Sequence, residues 1–272
     1  MNKNLVIKTS RLFYALALIV YAIQQFAYAD FRDVFFPPWQ SNLFLLPMWA
    51  YIFGLQLLVS AAAIILGKKA REAALILGTV FLILFCFAHV PYELISEPHS
   101  SWHLGVWANA LKELALAGGA FVIAGSYSDT LPETARDSLL LRLLKFIGPF
   151  GELFFSTTMI CFGIGHFLYT EPISTMVPAW IPDHLSWTYF AGVALICSGA
   201  AIILDIRTRI IAGLLGLMIL LWFIFLHLPS AIADPYVARG NELASAFDAL
   251  AFSGIAFLIA ALANGTERDE LS

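Results

Sequence analysis

Ile210-Ile-Ala-Gly-Leu-Leu-Gly-Leu-Met-Ile-Leu-Leu-Trp-Phe-Ile-Phe-Leu-His-Leu228 holds no Asp, Glu, Lys or Arg. A helix needs ~20 such residues to cross a ~30 Å hydrocarbon core, so this run predicts a transmembrane helix. It is apolar without alternation, which argues against a barrel strand. Similar runs fall at about 12–29, 47–66, 72–90, 106–125, 147–169, 185–204 and 243–263, making eight in all. The composition agrees. The 272 residues are 60% hydrophobic and 12% charged, whereas a soluble domain carries ~25% charged residues. Too little polar surface remains to cover a water-facing globule, and lipid as the solvent removes the shortage. The net charge of −4 and the lack of a basic block give no sign of nucleic-acid binding.

The quoted run has a relative earlier in the chain. Phe85-Cys-Phe-Ala-His-Val-Pro91 matches Phe223-Ile-Phe-Leu-His-Leu-Pro229, and Ser60-Ala-Ala-Ala-Ile-Ile-Leu66 matches Ser198-Gly-Ala-Ala-Ile-Ile-Leu204. Laid without gaps, 47–91 and 185–229 are identical at 19 of 45 positions. Phe36-Pro-Pro-Trp39 pairs with Val177-Pro-Ala-Trp180, and Tyr21-Ala-Ile-Gln-Gln-Phe26 with Phe162-Gly-Ile-Gly-His-Phe167. That last pairing argues against reading the N-terminal run as a cleaved signal, despite Ala27-Tyr28-Ala29. The expectation is an all-α membrane protein of eight transmembrane helices, built as two parallel-repeat four-helix bundles. The first unit is 1–125, a cytoplasmic linker is 126–146, and the second unit is 147–272. An even number of spans per unit makes the units parallel.

Orientation follows from the basic residues. Lys3, Lys8, Arg11, Lys68, Lys69, Arg71, Arg136, Arg142, Lys145, Arg207, Arg209 and Arg268 fall on one side, and only Arg32 and Arg239 on the other. The rich side is cytoplasmic, so both termini are expected inside. The other face carries the Pro-x-Trp segments at Trp39 and Trp180, read equally as interfacial anchors or as lids.

All six histidines, His89, His99, His103, His166, His184 and His227, fall in that outer part. His89 and His227 are expected to end the third helix of their units, donating to carbonyls freed by the following proline. His166 lies deeper, opposite Gln25 in the repeat. Lys112 and Asp248 occupy matched positions inside the fourth and eighth spans. Ionisable groups at such depth are costly and are functional candidates. Whether they pair depends on which way their helices face. Neighbouring Glu113 points ~100° around the helix and is not the natural partner of Lys112. Glu152 is expected to be solvated. His166, His227, His89, Trp180, Lys112 and Asp248 are thus the candidate ligand-binding residues. Cys86, Cys161 and Cys197 form no CxxC and read as small buried hydrophobes. No zinc, haem, flavin or nucleotide motif occurs, and no metal site is expected.

Phe162-Gly-Ile-Gly-His-Phe167, Val177-Pro-Ala-Trp-Ile-Pro182, Trp187-Thr-Tyr-Phe-Ala-Gly192, Leu226-His-Leu-Pro229 and Asn241-Glu242 together resemble the DoxX-like bacterial membrane proteins. The likeness covers the second unit well and the first more weakly, with Gln25 in place of the histidine. It implies a four-helix unit, here doubled, in the bacterial cytoplasmic (inner) membrane. Some relatives resemble the small subunit of a thiosulfate:quinone oxidoreductase, and others are linked to thiol and oxidative-stress complexes. The lack of paired cysteines argues against dithiol chemistry here. Two readings follow. One is a quinone-coupled redox subunit with an outward-facing histidine pocket and a membrane redox partner. The other is a non-enzymatic lipid or small-molecule binding or transport module, or a structural partner of a membrane complex.

Overall fold

A computed structural model of the chain describes residues 2–39, 44–95, 101–127 and 146–263. His99 and residues 128–145 of the linker lie outside it. Among the described residues there is no strand, and eight helices are long and apolar enough to cross a membrane. They are α1 (Lys3–Tyr28), α2 (Leu46–Leu66), α3 (Ala70–Ile95), α4 (Ala108–Gly125), α5 (Gly148–Leu168), α6 (His184–Ile203), α7 (Thr208–Ala233) and α8 (Asn241–Leu262). Outward-facing large side chains such as Leu12, Ile23, Leu55, Val59, Ile83 and Leu214 are exposed on these helices. In water that surface would be a liability, and in lipid it is the matching solvent.

Each helix packs against the next in sequence, α8 returns to α1, and α4 packs on α8. The pair α4–α8 therefore forms an inner wall between two rings, one of α1–α4 with α8 and one of α5–α8 with α4. The sequence predicts two four-helix bundles; in the structure each ring borrows a wall helix from the other half. Small residues explain why these two helices go inside. In α4, Ala115, Ala117, Gly118, Gly119 and Ala120 are all buried, and small side chains let backbones approach closely. A Cβ on Gly118 would sit 2.5 Å from the Gly151 carbonyl oxygen, and one on Gly151 2.7 Å from that of Gly118. Nothing larger than glycine fits where α4 crosses α5.

The third and seventh helices do not end at their histidines. A π-helical turn spans Phe85–His89 and recurs at Phe223–His227. The reason lies two residues on. Pro91 and Pro229 have no N–H, and in a regular α-helix the ring collides with the carbonyl one turn back. Widening the turn avoids the collision: the N–H of Val90 donates to the carbonyl of Phe85, and that of Leu228 to the carbonyl of Phe223. The helices then continue to Ile95 and Ala233. Such single π turns are often found at functional sites.

Two features close the end that carries the Pro-x-Trp segments. Arg239 pairs with Asp30 at 2.7 Å. Gly240, at φ +75°, starts α8, and Gln24 donates to its carbonyl at 2.7 Å. A Cβ there would be strained and would press on Gln24 and Tyr28. Asp183 caps α6: its carboxylate accepts from the N–H of Ser186, and the hydrogen bonds from Ser186 hold that carboxyl below its usual range. The cysteines correct the sequence reading. Cys86 and Cys197 are exposed and Cys161 is half-buried, because each lies on an outward or cavity-facing side of its helix.

Candidate functional site

The C-terminal ring encloses a cavity of about 1220 Å³. Its walls come from α4, α5, α6, α7 and α8 and from the 169–182 segment, and they are overwhelmingly apolar. Five of the six candidate residues line it: His166, His227, Trp180, Lys112 and Asp248. The lining also includes Trp187 and Phe190 of α6 and Leu214 and Leu221 of α7, all exposed on the outer face of the bundle. The cavity therefore opens sideways between α6 and α7, toward the lipid.

The charged members meet at the inner wall. Lys112 Nζ lies 3.0 Å from Asp248 Oδ2, so the two matched positions face each other across α4 and α8. Lys112 sits one turn into α4, which begins at Ala108. Tyr21, fully buried on α1, donates to Asp248 Oδ1 at 2.5 Å. The carboxylate is thus held from both sides while the ammonium stays partly open to the cavity, at 21% exposure against 4% for the acid. His227 lies within electrostatic reach of both Lys112 and Asp248, and its buried Nδ1 has no hydrogen-bond partner.

His89 and His227 do not end their helices as expected, and the three candidate histidines differ in their contacts. His166 binds its own helix: Nδ1 is 2.8 Å from the carbonyl oxygen of Phe162, one turn back, and the ring stacks on Trp222 at 6.1 Å and 23°. His89 faces away from its own helix. Its Nε2 is 3.3 Å from the carbonyl oxygen of Val34 and 3.5 Å from Glu113 Oε2. The ring thus faces the 30–36 segment and α4. Glu113, turned away from Lys112, is fully buried and has His89 as its neighbour. His89 is not on the cavity. Glu152 is exposed.

The N-terminal ring shows why the cavity lies where it does. There Phe35 is fully buried, packed on Tyr21 at 5.1 Å, Phe53 at 5.2 Å and Phe81 at 5.1 Å. Its counterpart in the aligned sequence is Met176, which is 48% exposed. Glu113 aligns with Ala249 and Gln24 with Gly165, and both smaller residues line the cavity. Three larger-to-smaller exchanges thus empty the second ring where the first is filled. The two tryptophans diverge in step. Trp39 donates to the Ala88 carbonyl at 3.2 Å and packs on Tyr92. Trp180 rests on Phe225, exposed at the cavity mouth.

Two residues of the site, Tyr21 and Trp222, are not among the candidates that the sequence singles out. A signal for Tyr21 exists, since its counterpart is Phe162 and only one of the two aligned positions carries a hydroxyl. Trp222 carries no signal apart from its neighbours. Among the described residues no group of His, Cys, Asp and Glu is arranged to hold a metal ion.

A family model described as a domain of unknown function, DUF8561, matches residues 155–260. That stretch runs from α5 into α8 and carries most of the cavity, while Lys112 comes from outside it. No curated protein and no solved structure matches the chain.

Proposed function

We propose that this chain is a DoxX-like multi-pass protein of the bacterial cytoplasmic membrane that binds a lipid-soluble amphipathic molecule in its C-terminal half, with both termini cytoplasmic and the cavity near the outer face. The observation that carries the binding reading is the cavity: large, mostly apolar, open toward lipid, with its ionisable groups at Lys112–Asp248, His166 and His227. Ligand sites combine an apolar wall with a few convergent polar groups in this way. The apolar part of the occupant lies between the helices and its polar head meets the lysine and the imidazoles. The His166–Trp222 stack offers a flat ring a neighbour, which favours a quinone or its quinol as the first occupant to test and keeps a quinone-coupled redox subunit as the second reading. The doubled four-helix plan is supported by the 19 identities in 45 positions and by π turns at matched places.

Native mass spectrometry of the protein in nanodiscs carrying its own membrane lipids tests binding. One tightly held amphipathic molecule per chain is expected. A bare chain under conditions that preserve annular lipid on other membrane proteins would overturn the reading. The orientation has its own test. With the three native cysteines replaced by alanine, Ser174→Cys should react with an impermeant maleimide in intact cells, and Lys68→Cys should not. The reverse pattern would invert the topology.

A further inference from the structure

We infer that the molecule in the C-terminal cavity carries a hydroxyl on its head, and that His166 is the acceptor that selects it. This inference rests on the cavity reading above. The Phe162 carbonyl oxygen, 2.8 Å from His166 Nδ1, can only accept. Nδ1 therefore carries the proton, and in the neutral ring Nε2 is left as a bare acceptor. Nε2 makes no hydrogen bond to any described residue, although the ring lines the cavity. Stacking on Trp222 limits how the ring can turn.

Lys112 is complementary: it has only donors and is ion-paired with Asp248. The cavity thus presents an acceptor in His166 and spare donors in Lys112. A hydroxyl satisfies His166, since its hydrogen goes to Nε2. A head with acceptor oxygens alone, such as a quinone or an ether, leaves Nε2 unpaired among apolar walls, and an unsatisfied buried acceptor is penalised. The preferred member of any such pair is the hydroxylated one: a quinol over its quinone, a long-chain alcohol over its methyl ether.

The test is competition at equal concentration, read by native mass spectrometry in nanodiscs. The probes are hexadecanol against its methyl ether, and a short-chain ubiquinol held reduced against its quinone. The wild-type chain should favour the hydroxylated partner by about tenfold to a hundredfold. His166→Phe keeps a flat ring on Trp222 but has no acceptor, and its preference should collapse. His166→Gln restores an acceptor, the residue the first half carries as Gln25, and should recover part of it. Equal binding of both partners by the wild type would overturn the hydroxyl inference and leave the cavity reading standing. A preference that survives in His166→Phe would remove His166 from the role. Failure of every probe to bind would overturn the inference together with the cavity reading.

Discussion

Lys112→Met should lower the stability of the detergent-solubilised protein by about 3–5 kcal/mol, the cost of leaving one partner of a buried pair uncompensated. Asp248, at 4% exposure, would keep only the Tyr21 hydroxyl as a partner. Asp248→Leu should cost less, because the freed ammonium can turn toward the open cavity, to which Lys112 is already 21% exposed. The asymmetry is a consequence of the wall geometry and would not arise for a pair buried evenly. Combining the two substitutions removes both charges and should recover most of the loss. A residue of about 1 kcal/mol should remain, since the Tyr21 hydroxyl is then buried without its acceptor. Adding Tyr21→Phe should remove that remainder. Reversible unfolding in mixed micelles reads all four variants. Strictly additive losses would show that the pair does not stabilise the wall as a unit.

Gly165→Leu should abolish retention of the cavity's occupant, by tenfold or more, while the chain stays folded. Gly165 is a cavity-lining position on α5, and a Cβ built there meets nothing nearer than Tyr169 Cδ2 at 4.0 Å. The added side chain has room only in the space the ligand would use. Two residues earlier the outcome should reverse. A Cβ on Gly163 would lie 2.6 Å from Ile196 Cγ1 and 2.7 Å from the Gly192 carbonyl oxygen, where α5 meets α6. Gly163→Leu should therefore lower the melting temperature markedly, since forcing volume into a packed contact costs about 1–3 kcal/mol or more. Co-purifying small molecules and thermal melts separate the two effects. A Gly165→Leu chain that holds its ligand as the wild type does would place the binding site elsewhere. Cys161 and Cys197 also line the cavity, so alkylation by a lipid-soluble maleimide reports occupancy in the same samples.

Much of the site is legible in the linear chain. Lys112 and Asp248 stand out because ionised groups are rare at that depth, and the repeat alignment puts them at one height. His166 and His227 stand out for similar reasons. Other features are hidden. His89 sits in the same Phe-x-Phe-x-His-x-Pro frame as His227, yet it lies off the cavity, because Phe35 fills the space that stays open in the other ring. Phe35 reads as an ordinary loop residue. The π turns are equally invisible, as a proline after an apolar run reads as a helix end.

The linear chain determines what depends on solvent transfer along it: how many segments can cross a membrane and which ionisable side chains are carried into the apolar layer. Those properties are local sums over consecutive residues. Which helices form the inner wall is decided only in three dimensions. So is whether Lys112 finds Asp248, whether His166 or His89 faces an open space, and that Tyr21 anchors the acid. These depend on how closely backbones approach at Gly118 and Gly151 and on which aromatic ring fills which gap. Lipid is as apolar as the helix surfaces, so burial alone does not choose neighbours in a membrane; packing and polar pairing do.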